Sequence, residues 1–304
     1  MSVLLSPTAL AARLPVDAPG PPVRLLDVRW SLGEPDGRPA YRAGHIPGAV
    51  HVDLERELSG HGAPTEGRHP LPPIADLQES ARRWGLRNGE SVVVYDASGG
   101  LAAARAWWLL GHAGVTDVRI LDGALDGWAA AGLPLAAGDE PAPPLGDIRL
   151  AYGHRPVIDI DEAGRFAADG TLLDARAAAR YRGAEEPVDP RAGHIPGAGS
   201  APASENLDAD GRFRTRDELT ARFAAAGVRD DRPVAVYCGS GVTAAHTVAA
   251  LAVTGREAAL FPGSWSAWSN HPDRPVATGD EPGPGTPPDA TPQDAKNAPT
   301  GAIR

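Results

Sequence analysis

Short apolar runs bounded by Gly, Pro or Asp recur along the chain: "RLLDV" (24–28), "SVVVYD" (91–96), "VRILDG" (118–123), "TLLDA" (171–175), "PVAVYC" (233–238) and "EAALFPG" (257–263). Their length and β-branched content predict buried strands. Between them lie longer stretches with helical spacing. "LAAARAWWLLGHAG" (101–114) and "GVTAAHTVAALAVTG" (241–255) follow the central strands, and each closes on glycine. Strands alternating with helices predict an α/β fold, a mainly parallel sheet flanked by helices on both faces.

The pattern occurs twice. "LLDVRW" (25–30) precedes "YRAGHIPGAV" (41–50), and "LLDARA" (172–177) precedes "PRAGHIPGAG" (190–199). The register continues from 81–96 to 221–238, and from "LDGALDGW" (121–128) to "FPGSWSAW" (261–268). A period near 140–150 residues is far longer than the ~20–50 of a solenoid and means two homologous domains in tandem. We place them at 1–140 and 141–278, joined through the Pro/Gly/Ala-rich segment 133–147. The tail 279–304 has no bulky hydrophobe except Ile303, and its composition predicts disorder.

Composition narrows the class. The chain of 304 residues is 42% hydrophobic, yet no uninterrupted apolar run reaches the ~18 residues of a membrane span. The N-terminus lacks the basic and apolar regions of a secretory peptide. A net charge of −10 argues against nucleic acid or an anionic membrane as the main partner. Lys296 is the sole lysine, so arginine carries nearly all the positive charge. A single cysteine rules out an intrachain disulfide or a CxxC pair and suits a reducing cytoplasm. The histidines show no tight ligand spacing, so neither metal nor other cofactor is expected.

That cysteine, Cys238, ends a central strand, where open α/β sheets bind their ligands. A lone cysteine is otherwise a small buried hydrophobe. Here Gly239, Ser240 and Gly241 let the backbone curl so that amides converge on the sulfur. The free N–H groups near Val242 and Thr243 continue the nest into a helix N-terminus. Such a setting favours a nucleophilic thiolate. The matching position in the first copy is Asp96, which cannot do thiolate chemistry, so the first domain is expected to be catalytically silent.

The paired "GHIPGA" motifs, the "YD" and "YC" strand ends and the "CGSGVT" loop resemble the tandem-domain rhodanese (sulfurtransferase) family, over roughly residues 6–277. The resemblance implies two rhodanese-like domains and a persulfide-forming cysteine in the second. The loop is similar to that of the 3-mercaptopyruvate branch, whereas thiosulfate enzymes typically carry basic residues after the cysteine. Arg180 matches the family position that binds the substrate carboxylate. A second arginine is usual nine residues on, but Asp189 stands there, and Arg191 is the nearest candidate. A Ser-His-acid relay implied by the branch falls on Ser240 and His69, with the acid Asp53 or Glu55; Asp53 is taken as the candidate.

Other conspicuous residues have plainer readings. His45, His194, Asp27 and Asp174 occur in both copies and are expected to be structural. His246, Trp107 and Trp108 are expected to pack, while Trp265 either packs or lines the site mouth. The chemistry anticipated is transfer of a sulfane sulfur from a small-molecule donor, 3-mercaptopyruvate or alternatively thiosulfate, through a Cys238 persulfide. With no second cysteine, the acceptor must be external: a small thiol, cyanide or a thioredoxin-like protein. A cysteine phosphatase is disfavoured, because its phosphate-gripping arginine would fall at Ala244. A noncatalytic persulfide carrier is the remaining alternative.

Overall fold

The computed structural model describes residues 2–14 and 20–285. The first sheet contains β1 (Leu4–Leu5), β2 (Val23–Asp27), β3 (Val50–His51), β4 (Ser91–Tyr95) and β5 (Val118–Leu121) in the order β1-β5-β4-β2-β3. The second contains β6 (Thr171–Asp174), β7 (Gly199–Ser200), β8 (Val234–Tyr237) and β9 (Ala259–Leu260) in the order β7-β6-β8-β9. Every pairing between these strands is parallel. All of β4 and β8 is buried, which explains why both read as unbroken apolar runs rather than alternating ones. A bridge from Val157 to Leu260 extends the second sheet where β1 extends the first.

The helices after the two central strands, Ala103–His112 and Val242–Thr254, pack against each other and join the halves. Every residue of the first is buried: one side covers its own sheet and the other meets its counterpart. One apolar cluster therefore runs from Leu26 and Val94 through Trp108, Val248 and Leu251 to Val236 and Leu260.

The repeated motifs make the same joints in both halves. The rings of His45 and His194 stack on Tyr41 and Tyr181 at 4.0 and 3.8 Å, and each Nδ1 bonds the carbonyl of that tyrosine. Ile46 and Ile195 donate their N–H to the hydroxyls of Tyr95 and Tyr237, tying each motif to the strand that leads to the site. Asp27 and Asp174 pair with Arg29 and Arg176.

Two expectations change. The joining segment and the residues just after it are strapped to the first domain: Gly146 donates to the Arg82 carbonyl, and beyond the segment Ile148 donates to that of Leu86 and the Tyr152 hydroxyl to that of Pro72. Gly146 lies so close to that chain that a Cβ would stand 1.9 Å from the Leu86 oxygen. The beginning of the tail is likewise docked. Gly279 donates to the Arg182 carbonyl, Gly197 donates to that of Pro282, and Asp280 pairs with Arg182. Backbone pairing orders this piece without apolar burial, which composition does not register. The disorder predicted for 286–304 falls outside the described residues.

Candidate active site

Cys238 follows β8 directly and is 1% exposed. Gly241 donates its N–H to Sγ at 3.1 Å, from a left-handed backbone with φ of 80°. A Cβ on Gly241 would stand 2.6 Å from the Pro262 oxygen, so only glycine fits. The loop is held from behind by the helix Ser264–Ser269. Trp265 and Ser266 donate to the carbonyls of Cys238 and Gly239, each at 2.9 Å, and the Ser264 hydroxyl accepts from the Cys238 N–H. Ser264, Trp265 and Ser266 of "GSWSAWS" thus support the cysteine loop, and their signal in the sequence was only their place in the repeat.

The first domain shows what this kind of loop is for. Asp96 accepts four backbone N–H groups, from Ser98, Gly100, Ala102 and Ala103, at 2.8 to 3.0 Å. A built-in carboxylate saturates the nest there. In the second domain the group at the strand end is the Cys238 sulfur, which borders an open cleft.

That cleft has a volume of about 290 Å³, and Trp30, Arg68, Arg180, Ser240, Val242 and Thr243 are among the residues around Cys238 and Gly239. Val242 and Thr243 therefore border the site. Among the described residues, however, Gly241 supplies the one N–H given to Sγ.

The first domain contributes His69, which is 3% exposed. Its Nδ1 is 2.7 Å from the Ser240 hydroxyl, and its Nε2 is 3.0 and 3.1 Å from the Glu55 carboxylate oxygens. An ionised carboxylate only accepts, so Nε2 carries the proton, Nδ1 accepts, and Ser240 donates. Trp30 Nε1 fixes Glu55 with a further bond of 2.7 Å. Burial holds the His69 pKa below the ordinary histidine value; Glu55 opposes this, and Arg105 and Arg68 add to it.

Contrary to the expectation from sequence, the carboxylate that meets His69 is that of Glu55 and not that of Asp53. The Asp53 carboxylate caps the helix Leu54–Glu57 by accepting from the Arg56 N–H, while Glu55, in the first turn, faces the histidine.

Arg105 is a residue that sequence reasoning missed. It is fully buried, and its guanidinium donates to the carbonyls of Leu58, His69 and Pro70, and to Gly241 at 3.4 Å. It staples the His69 loop to the cysteine loop across the domain boundary. Burial brings its pKa down to about 10. Its only signal was an arginine inside an otherwise apolar helical run, "AARAWW".

Arg180 lies at the cleft, where Glu186 and Asp189 hold its guanidinium. Arg191 does not: it donates to the carbonyls of Trp268, Ser269, His271 and Arg274 and closes the end of the Ser264–Ser269 helix. Two further arginines line the cleft, Arg68 of the first domain and Arg176, the latter held by Asp174 and Glu186. A Cβ placed on Gly239 would be 3.1 Å from an Arg68 nitrogen and 3.3 Å from one of Arg180. Trp265 packs away from the mouth, with Nε1 on the Arg191 carbonyl. His246 is buried between the domains, bonded to Gly99 and Asn206, with its pKa driven down to about 3 by burial.

Comparison with known proteins agrees with this geometry. The rhodanese-like domain family matches residues 7–131 and again 159–271. A Mycobacterium tuberculosis protein with the provisional name thiosulfate sulfurtransferase SseB is 49% identical over 282 residues, covering 91% of this chain and 97% of the relative. A Pseudomonas aeruginosa protein with the provisional name 3-mercaptopyruvate sulfurtransferase is 46% identical over 289 residues, covering 91% and 98%. The crystal structure of SseA from Escherichia coli, described as a 3-mercaptopyruvate sulfotransferase with the rhodanese fold, superposes with a TM-score of 0.76 at 34% identity, covering 87% of this chain and 99% of that one. With both halves matched and the cysteine loop intact only in the second, the chain belongs to the rhodanese family as a tandem two-domain member.

Proposed function

We propose that the protein is a sulfurtransferase that takes sulfur from 3-mercaptopyruvate onto Cys238 and hands it to an external acceptor. The observation that carries this reading is the hydrogen-bonded chain Ser240–His69–Glu55 beside a cradled sulfur. Thiosulfate transfer breaks a bond to a ready leaving group, sulfite, and needs no proton relay. Cleaving a carbon–sulfur bond does need one, because the leaving carbon must be protonated.

Arg180 and Arg68 bind the donor carboxylate. Ser240 accepts the donor thiol proton while passing its own to His69 Nδ1, and Glu55 stabilises the resulting imidazolium. The Cys238 thiolate bonds to the donor sulfur as the carbon–sulfur bond breaks. That electron pair moves to the methylene carbon and is shared with the neighbouring carbonyl as the enolate of pyruvate. The relay then returns its proton to the enolate carbon, and pyruvate leaves. Cys238 is left as a persulfide in the loop, an instance of covalent catalysis. Only one cysteine is present, so the persulfide sulfur goes to a small thiol, cyanide or a thioredoxin-like protein in a reducing compartment such as the cytoplasm.

Steady-state kinetics with each donor test this, following pyruvate and sulfite release. We expect kcat/KM to favour 3-mercaptopyruvate. A clear preference for thiosulfate, the activity in the Mycobacterium tuberculosis relative's name, overturns the donor assignment. Absence of turnover with both leaves the carrier reading.

A further inference from the structure

Six charged side chains alternate in sign in a single ladder that ends at the cleft: Asp174, Arg176, Glu186, Arg180, Asp189 and Arg68. Three positive and three negative groups sum to zero. Asp189 is the joint at the open end. Its side chain is 2% exposed, one oxygen accepts from Arg180 at 3.0 Å, and the other pairs with Arg68. The two arginines come from different domains, and both lie against Gly239, the residue after Cys238. A donor anion approaching Cys238 therefore meets Arg68 and Arg180, which already share a buried carboxylate, beside an Arg176 already paired with Asp174 and Glu186.

We propose that Asp189 sets donor selectivity by charge, disfavouring a compact dianion such as thiosulfate relative to a monocarboxylate donor. The inference rests on the sulfur transfer assigned above to Cys238. A buried negative charge repels a donor in proportion to the charge that the donor carries, and at this range protein attenuates the effect far less than water does. Thiosulfate brings two charges to the loop; 3-mercaptopyruvate, with its thiol protonated, brings one. Asp189 also aims both guanidinium groups, so it orients the carboxylate site while limiting its net charge. The neutral cysteine loop leaves this ladder as the main charge within reach of the donor.

The test is the ratio of kcat/KM for thiosulfate to that for 3-mercaptopyruvate in the full chain. Asp189→Asn keeps the shape and removes the charge. We expect the ratio to rise on the order of tenfold, mainly through KM for thiosulfate, and Asp189→Glu to restore the wild-type ratio. A ratio compares two donors on one preparation, so partial misfolding does not shift it. If Asp189→Asn leaves the ratio unchanged or lowers it, or if Asp189→Glu does not return it toward the wild-type value, the charge role is wrong. Wild-type protein that turns over neither donor instead removes the sulfurtransferase reading beneath it.

Discussion

Asp53 and Glu55 are two residues apart in "HVDLERE" and have different roles. The first has an extended backbone and caps a helix; the second sits in the first turn and holds His69. Glu55→Gln is expected to lower kcat about 10²-fold, the scale of an impaired proton transfer. Asp53→Ala is expected to cost about 1 kcal/mol of stability with kcat within about twofold of wild type. Steady-state kinetics and urea unfolding separate the two. His69 must be neutral to accept a proton, and burial holds its pKa below 6.5. Protonation of His69 should therefore give an acid limb centred below 6.5 in the pH dependence of kcat/KM that His69→Asn removes; a profile left unchanged in shape by His69→Asn contradicts the relay. The types of these residues were legible in the chain, but which carboxylate turns inward was not, since backbone direction at a helix start decides it. Arg191 misled for a related reason. The segment after Arg180 is altered in length, and counting positions cannot show that a guanidinium ends among backbone carbonyls while Arg68, distant in sequence, fills the vacated place.

At the scale of elements, strand β8, the Gly-Ser-Gly turn and the helix after it follow directly from local pattern. An apolar run meets residues that permit a tight turn, and a helical period follows. What local pattern leaves out is the support behind the turn. The Ser264 hydroxyl and the amides of Trp265 and Ser266 lie 26 and 27 positions from the groups they hold, and no periodicity announces such contacts. The turn itself admits little change. Gly241→Ala would place a side chain in left-handed backbone and against the Pro262 oxygen. We expect it to cost about 1–2 kcal/mol and to slow persulfide formation, measured by rapid-quench mass analysis, more than it changes overall secondary structure.

At the scale of the molecule, tandem duplication was legible because both copies keep their motifs. The composite nature of the site was only hinted at by the loss of the nucleophile in the first copy. One domain supplies the cysteine loop, Ser240 and Arg180; the other supplies Glu55, Arg68, His69 and Arg105. The apolar cluster shared by the two central helices keeps these groups in register. His246 bridges the same boundary as a neutral imidazole, with a folded pKa of about 3 against 6.5 for an ordinary histidine. Between those values the unfolded chain binds a proton that the folded chain refuses. Its contribution is thus complete above 6.5 and is lost as pH falls, by about 1.4 kcal/mol per pH unit. His246→Gln is expected to reduce this acid loss, measured as melting temperature against pH. Asp27, raised to about 6 by burial, acts in the opposite sense and is unchanged in that variant.

The central claim is that Cys238 carries sulfur taken from 3-mercaptopyruvate. Intact-mass spectrometry after incubation with that donor, on wild type and on Cys238→Ser, tests it most directly. The account predicts a gain of one sulfur atom in the wild type, removed by a reducing thiol and absent from the variant. No gain in the wild type with 3-mercaptopyruvate, or the same gain in Cys238→Ser, would contradict it.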